Sequence, residues 1–103
     1  MKKILAVATM MAALATGLPA MADQYAEQTA RTLCAGCHGP NGISTNPMSP
    51  NLAGQKAEYA ALQLQAYRDG KRSDPNMNGI SQPLTDEQIK SLAEYYSKLP
   101  GGG

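Results

Sequence analysis

The chain has 103 residues, with nine Lys and Arg against eight Asp and Glu, one His, two Cys, no Trp and no Phe. That length fits one small domain. The nearly balanced charge, with basic residues clustered only at Gly70-Lys71-Arg72, excludes a nucleic-acid binder.

Residues 1–22 read as an export signal. Lys2 and Lys3 supply a positive start, residues 4–18 form an apolar run too short and interrupted to span a bilayer, and Ala20-Met21-Ala22 supplies the small-x-small pattern before a cleavage site. No paired Arg precedes the run, which points to export as an unfolded chain, and no stable membrane insertion is expected. Cleavage after Ala22 leaves a single domain over 23–103, with seven basic against eight acidic side chains and a net charge of −1. Its expected location is the periplasm. At 81 residues a hydrophobic core alone gives marginal stability, and five Tyr are the only aromatic side chains, so something else should help fill the middle.

Three helices are expected in the mature part, and the class is all-α. The first runs over about 24–37, where Ala26, Ala30, Leu33, Cys34 and Cys37 recur at helical spacing. The second covers about 57–69, with Tyr59, Leu62, Ala66 and Tyr67 on one side and Gly70 as a stop. The third begins at a capping box of Thr85 and Gln88, with Asp86 and Glu87 at the positive end of the helix dipole and Leu84 and Ile89 as a hydrophobic staple. Ile89, Leu92, Ala93 and Tyr96 form its apolar stripe, and Pro100 with three Gly ends it. The connections over 39–55 and 70–83 are rich in Gly, Pro, Asn and Ser and long for so small a domain; neither contains a run that reads as a strand.

Both Cys and the only His fall within Cys34-Ala-Gly-Cys-His38. Structural zinc wants four ligands, usually in two spaced pairs, and no second cluster exists. A thioredoxin-like redox pair belongs beside a βαβ unit, and a disulfide closing so short a loop would stabilise little. An exported thiol pair also tends to oxidise unless something consumes it. Cys-x-x-Cys-His is a haem attachment pattern: both sulfurs face one way from the end of a helix, in position for two thioether bonds, and the next residue, His38, stands over the iron as an axial ligand. A large flat apolar group would also supply the missing core. With no second His, a Met is the natural sixth ligand, and the mature chain offers Met48 and Met77. Met77, 39 residues after His38 and beyond a complete helix, is better placed to reach the opposite haem face than Met48, ten residues after it in a Pro-rich loop.

Over 23–99 the sequence resembles a class I c-type cytochrome of the short bacterial monohaem kind, and also one half of the dihaem periplasmic cytochromes. The resemblance rests on "CAGCH", "PNLAGQ" at 50–55, the Tyr-containing middle helix followed by "GKR", "MNG" at 77–79 and "LTDEQIKSLAEYYSKL". It implies a small cytochrome c fold with three main helices wrapped around one haem c, thioether bonds from Cys34 and Cys37, and iron ligation by His38 and Met77. It implies that the Pro50 carbonyl orients His38, and that the terminal helices cross near Ala26 and Ala30 on one side and Leu92 and Tyr95 on the other. Gln55, Tyr59, Tyr67 and Arg72 are the candidate further haem contacts. With one haem motif, a dihaem arrangement would need two chains.

The function so implied is a soluble electron carrier, not an enzyme, because an iron with both axial positions filled by protein has none left for substrate. The port would be the haem edge at the Cys34–Cys37 thioethers, docking transiently with periplasmic redox proteins as a monomer or weak dimer, through a small and partly apolar patch. A net charge near −1 predicts little electrostatic steering. The competing readings are a five-coordinate haem that binds small ligands or reacts with peroxide, if Met77 does not ligate, and an electron-delivery subunit of a larger redox complex.

Overall fold

The computed structural model describes residues 20–101. The export signal expected over 1–22 lies outside them but for its last three residues. Four helices are present and, among the described residues, no strand; none of these helices is long and apolar enough to cross a membrane. Helix α1 is helical over 20–38, with a wide π turn at Ala30–Cys34 and a last turn at Ala35–His38. Helix α2 spans Ala57–Arg68, α3 is a short helix at Met77–Ser81, and α4 spans Asp86–Ser97.

The π turn decides where the motif points. Ala26 and Ala30 are buried, whereas Leu33 is 47% exposed and Cys37 is exposed, so the five residues expected on one face do not share it. In the wide turn the Ala35 N–H reaches back to the Ala30 carbonyl, and the Thr32 hydroxyl donates to the Gln28 carbonyl at 2.8 Å. One extra residue in a turn rotates everything after it by about 100°. The helix thus keeps its small residues in the core while turning the thiols away from that line. It stops at Gly39, whose φ of +86° suits only Gly and where a Cβ would collide with the Ile43 carbonyl oxygen.

Helix α4 forms as its sequence specifies. The Gln88 N–H donates to Thr85 Oγ1 at 3.1 Å and the Thr85 N–H to Gln88 Oε1 at 3.0 Å, satisfying two otherwise orphaned donors. Leu84 and Ile89 are both buried across that cap, and Ile89, Leu92, Ala93 and Tyr96 make the inward stripe. Ile89 is fully buried, which contributes about 2 kcal/mol. Arg68 at the end of α2 donates to Asp86 at 2.8 Å and to the Leu84 carbonyl at 3.2 Å, tying α2 to the start of α4.

Helix α2 packs against α3 and α4, but through a different side from the one its tyrosines suggest. Ala61 and Leu64 meet the core formed by Ala26, Leu84, Ile89 and Leu92, joined by Tyr25 and Tyr95, while Tyr59 and Leu62 are 50% and 60% exposed. Alanines at 57, 60, 61 and 66 lie on several sides of this helix, so no single apolar stripe stands out from spacing alone. Ala26 on α1 and Leu92 and Tyr95 on α4 meet in one cluster, as the crossing of the terminal helices requires. Only seven apolar side chains are buried among the described residues, and three of them are Ala.

Candidate functional site

Cys34, Cys37 and His38 sit at the C-terminal end of α1, two of them in its last α-helical turn. His38 is buried, 7% exposed, and its Nδ1 lies 2.8 Å from the Pro50 carbonyl oxygen. A carbonyl can only accept, so Nδ1 donates to it and Nε2 is the nitrogen left to face a metal. The contact also fixes the ring's orientation. Pro50 reaches this place because the connection doubles back on itself: the Gly42 carbonyl accepts the N–H groups of Leu52 and Ala53 at 2.8 and 3.0 Å. Burial raises the Cys34 thiol pKa, countered in part by the Tyr96 hydroxyl beside it, and burial together with Cys34 keeps that hydroxyl protonated far above the usual tyrosine range. The place of Tyr96 next to Cys34 has no signal in the sequence beyond its position on the buried stripe of α4.

Met77 opens α3. The Asp74 carboxylate accepts the N–H groups of Asn76 and Met77, both at 2.9 Å, and these two bonds hold it below the usual carboxylate range, with smaller help from Arg72. Asn78 locks the same segment to α2. Its Nδ2 donates to the Tyr67 and Arg72 carbonyls, both at 2.8 Å, and its Oδ1 accepts the Asp74 N–H at 2.7 Å. Asp74, Asn78 and α3 itself were missed in the sequence, where 70–83 reads as loop. The available signal was Asp74-Pro75 just ahead of Met77, an acidic side chain able to accept N–H groups at a helix start and a Pro that suits the approach to one.

The remaining candidates are scattered. Met48 is 88% exposed in the 39–55 connection. Gln55 turns its side-chain oxygen to the Lys56 N–H at 2.9 Å, at the start of α2. Tyr59 lines an open groove with Lys56, Ala57, Glu58 and Leu62. Arg72 lies over the Tyr67 ring at 4.6 Å and donates to Gln63 Oε1 at 2.6 Å.

This donor set fits haem c. Two thiols and an imidazole with a free Nε2 occur within five residues, a thioether is held on a separate segment, and the buried apolar core among the described residues is small, with three of its seven side chains Ala. An all-helical chain with such a site has the features of a class I c-type cytochrome. Residues 24–100 match the cytochrome c family, and the chain belongs to it, carrying covalently attached haem c with iron. It is 45% identical over 67 residues to cytochrome c-554(548) of Halomonas halodenitrificans, covering 62% of this chain and 81% of that one. It is 40% identical over 105 residues to the thiosulfate dehydrogenase electron acceptor of Thiomonas intermedia, covering all of this chain and 46% of the relative. The crystal structure of reduced recombinant cytochrome c4 from Pseudomonas stutzeri superposes with a TM-score of 0.71 at 32% identity, over 78% of this chain and 49% of that one. The chain thus spans about half the length of the last two.

Proposed function

We propose that this chain is a one-electron carrier with a single haem, attached through Cys34 and Cys37 and ligated by His38 and Met77. When bound, the haem iron supplies an Fe(III)/Fe(II) couple. The protein's own residues hold that couple steady. The Pro50 carbonyl keeps His38 in one orientation and one tautomer, burial of the ring excludes water, and Asp74 and Asn78 fix the backbone on either side of Met77. With both ligands supplied by the chain, oxidation state changes with little movement and no substrate is admitted. This is the behaviour of a carrier, not an enzyme. Gln55, Tyr59, Tyr67 and Arg72 are proposed as lesser haem contacts.

Residues 1–22 are proposed to be an export signal, the mature domain to begin at Asp23, and the place of work to be the periplasm. The partners are redox proteins met transiently by a monomer or weak dimer. Because one relative is named as an electron acceptor for thiosulfate dehydrogenase, a dehydrogenase of that kind is a donor to try. The observation that carries the reading is the 2.8 Å contact between His38 and Pro50, which prepares one nitrogen of a buried imidazole as an iron ligand. A potentiometric titration of the holoprotein, followed by exposure of the reduced form to carbon monoxide, tests it. The expected result is a single one-electron wave and no binding of the gas. Ready binding would move the assignment to a five-coordinate haem.

A further inference from the structure

The 24 residues from Thr32 to Gln55 contain no Asp, Glu, Lys or Arg, although seventeen such residues occur elsewhere in the chain. Within this stretch, residues 43–51 form a loop closed at its base. The Gly42 carbonyl takes the N–H groups of Leu52 and Ala53, and the φ of +75° at Gly42 leaves its Cβ position only 2.9 Å from the Ala53 nitrogen. Inside the loop, the Ser44 N–H donates to Asn51 Oδ1 at 2.7 Å. The Ser44 hydroxyl accepts the Asn46 N–H at 3.0 Å, and Asn46 Oδ1 accepts the Met48 N–H at 3.0 Å. The Ser44 hydroxyl also lies 3.1 Å from the Cys37 carbonyl, which ties the loop to a haem-attaching residue.

The N–H groups of Ser44, Asn46, Met48 and Ser49 are all bonded within the loop, and its tip holds Met48 almost fully exposed. Single exposed apolar side chains are ordinary. An ordered, charge-free loop that presents one, and that is itself bonded through Ser44 to the exposed Cys37, is a different arrangement.

We propose that residues 43–51 are a recognition loop on the electron-transfer face, with Met48 as its contact residue, and that they receive an apolar, uncharged face of a redox protein. This rests on the electron-carrier reading above. The thioether of Met adapts to surfaces of different shape, and a loop already ordered loses little freedom on docking. One electron passes across the contact, oxidising one protein and reducing the other, with no bond made or broken and no proton moved. With no charged side chain in the loop itself, the encounter depends little on salt.

Electron self-exchange between reduced and oxidised holoprotein, read from NMR line broadening, tests the proposal with the chain itself as the probe. The wild-type rate should change little with salt. Met48→Lys and Met48→Glu each place like charges opposite one another in a symmetric encounter, so both should slow exchange by about tenfold at low salt and recover at high salt. Met48→Leu should keep the wild-type rate, and no variant should move the reduction potential. An effect of overall charge alone would shift the Lys and Glu variants in opposite directions, and that result overturns the proposal, as do two unchanged rates. A stable wild-type dimer that Met48→Glu dissociates would also overturn it, making the loop a self-association face. A wild-type holoprotein with no measurable exchange refutes the carrier reading and the loop's role together.

Discussion

Asn78→Ala is the perturbation that most directly probes how the fold holds Met77. The substitution removes three hydrogen bonds of 2.7–2.8 Å, two donated to the carbonyls of Tyr67 and Arg72 and one accepted from Asp74. Each such bond contributes about 1 kcal/mol net, and since Asn78 is only half-buried and water can satisfy part of what it leaves, the loss should be about 2 kcal/mol rather than the full sum. The α2–α3 connection then opens about 30-fold more often. Met77 lies between Asp74 and Asn78 in this lattice, so the opening should appear as weakened ligation as well as lower stability. The assay is denaturant unfolding of ferric holoprotein, followed both by helix content and by the weak long-wavelength band of a Met–Fe(III) bond. The Met band should be lost at a lower denaturant concentration than in wild type, ahead of the helix signal. A variant whose two transitions coincide with the wild-type ones would refute the reasoning, because Asn78 would then hold nothing that Met77 depends on.

Three further outcomes are expected. Ser81 is fully buried with its hydroxyl unpaired, so Ser81→Ala should leave stability unchanged or raise it by up to about 1 kcal/mol; a marked loss in a thermal melt would mean the hydroxyl has a partner in the holoprotein. Thr85→Ala removes half of the capping box and should cost about 1 kcal/mol in the same melt, whereas Thr85→Ser should cost little. Mild peroxide treatment of the holoprotein should add oxygen to Met48 before Met77, because Met48 is exposed and an iron-bound thioether is protected; peptide mass spectrometry reads the order, and Met77 oxidised first would contradict the ligand assignment.

Much of this was legible in the residues because it is local. The capping box at Thr85 and Gln88 needs only a spacing of three, and the stripe from Ile89 to Tyr96 needs only helical periodicity. What escaped depends on relations the spacing does not contain. The π turn at Ala30–Cys34 changes the period within a helix, so Leu33 and Cys37 leave the face that Ala26 and Ala30 keep. In α2 the alanines give no side a clear preference, so tertiary packing, not pattern, sets Ala61 and Leu64 inward and Tyr59 and Leu62 outward. The helix at Met77 is nucleated by one carboxylate and stitched by one amide, which a loop-like composition concealed. The contact between His38 and Pro50 was reached through the family resemblance; twelve residues separate the two, and no spacing rule joins them.

The most direct test of the account is the ferric absorption spectrum of the purified holoprotein beside those of Met77→Ala and Met48→Ala. The account predicts covalent haem in all three, with the Met–Fe(III) band present in the wild type, kept in Met48→Ala and lost in Met77→Ala. A band that survives in Met77→Ala, or one that disappears in Met48→Ala, would contradict it.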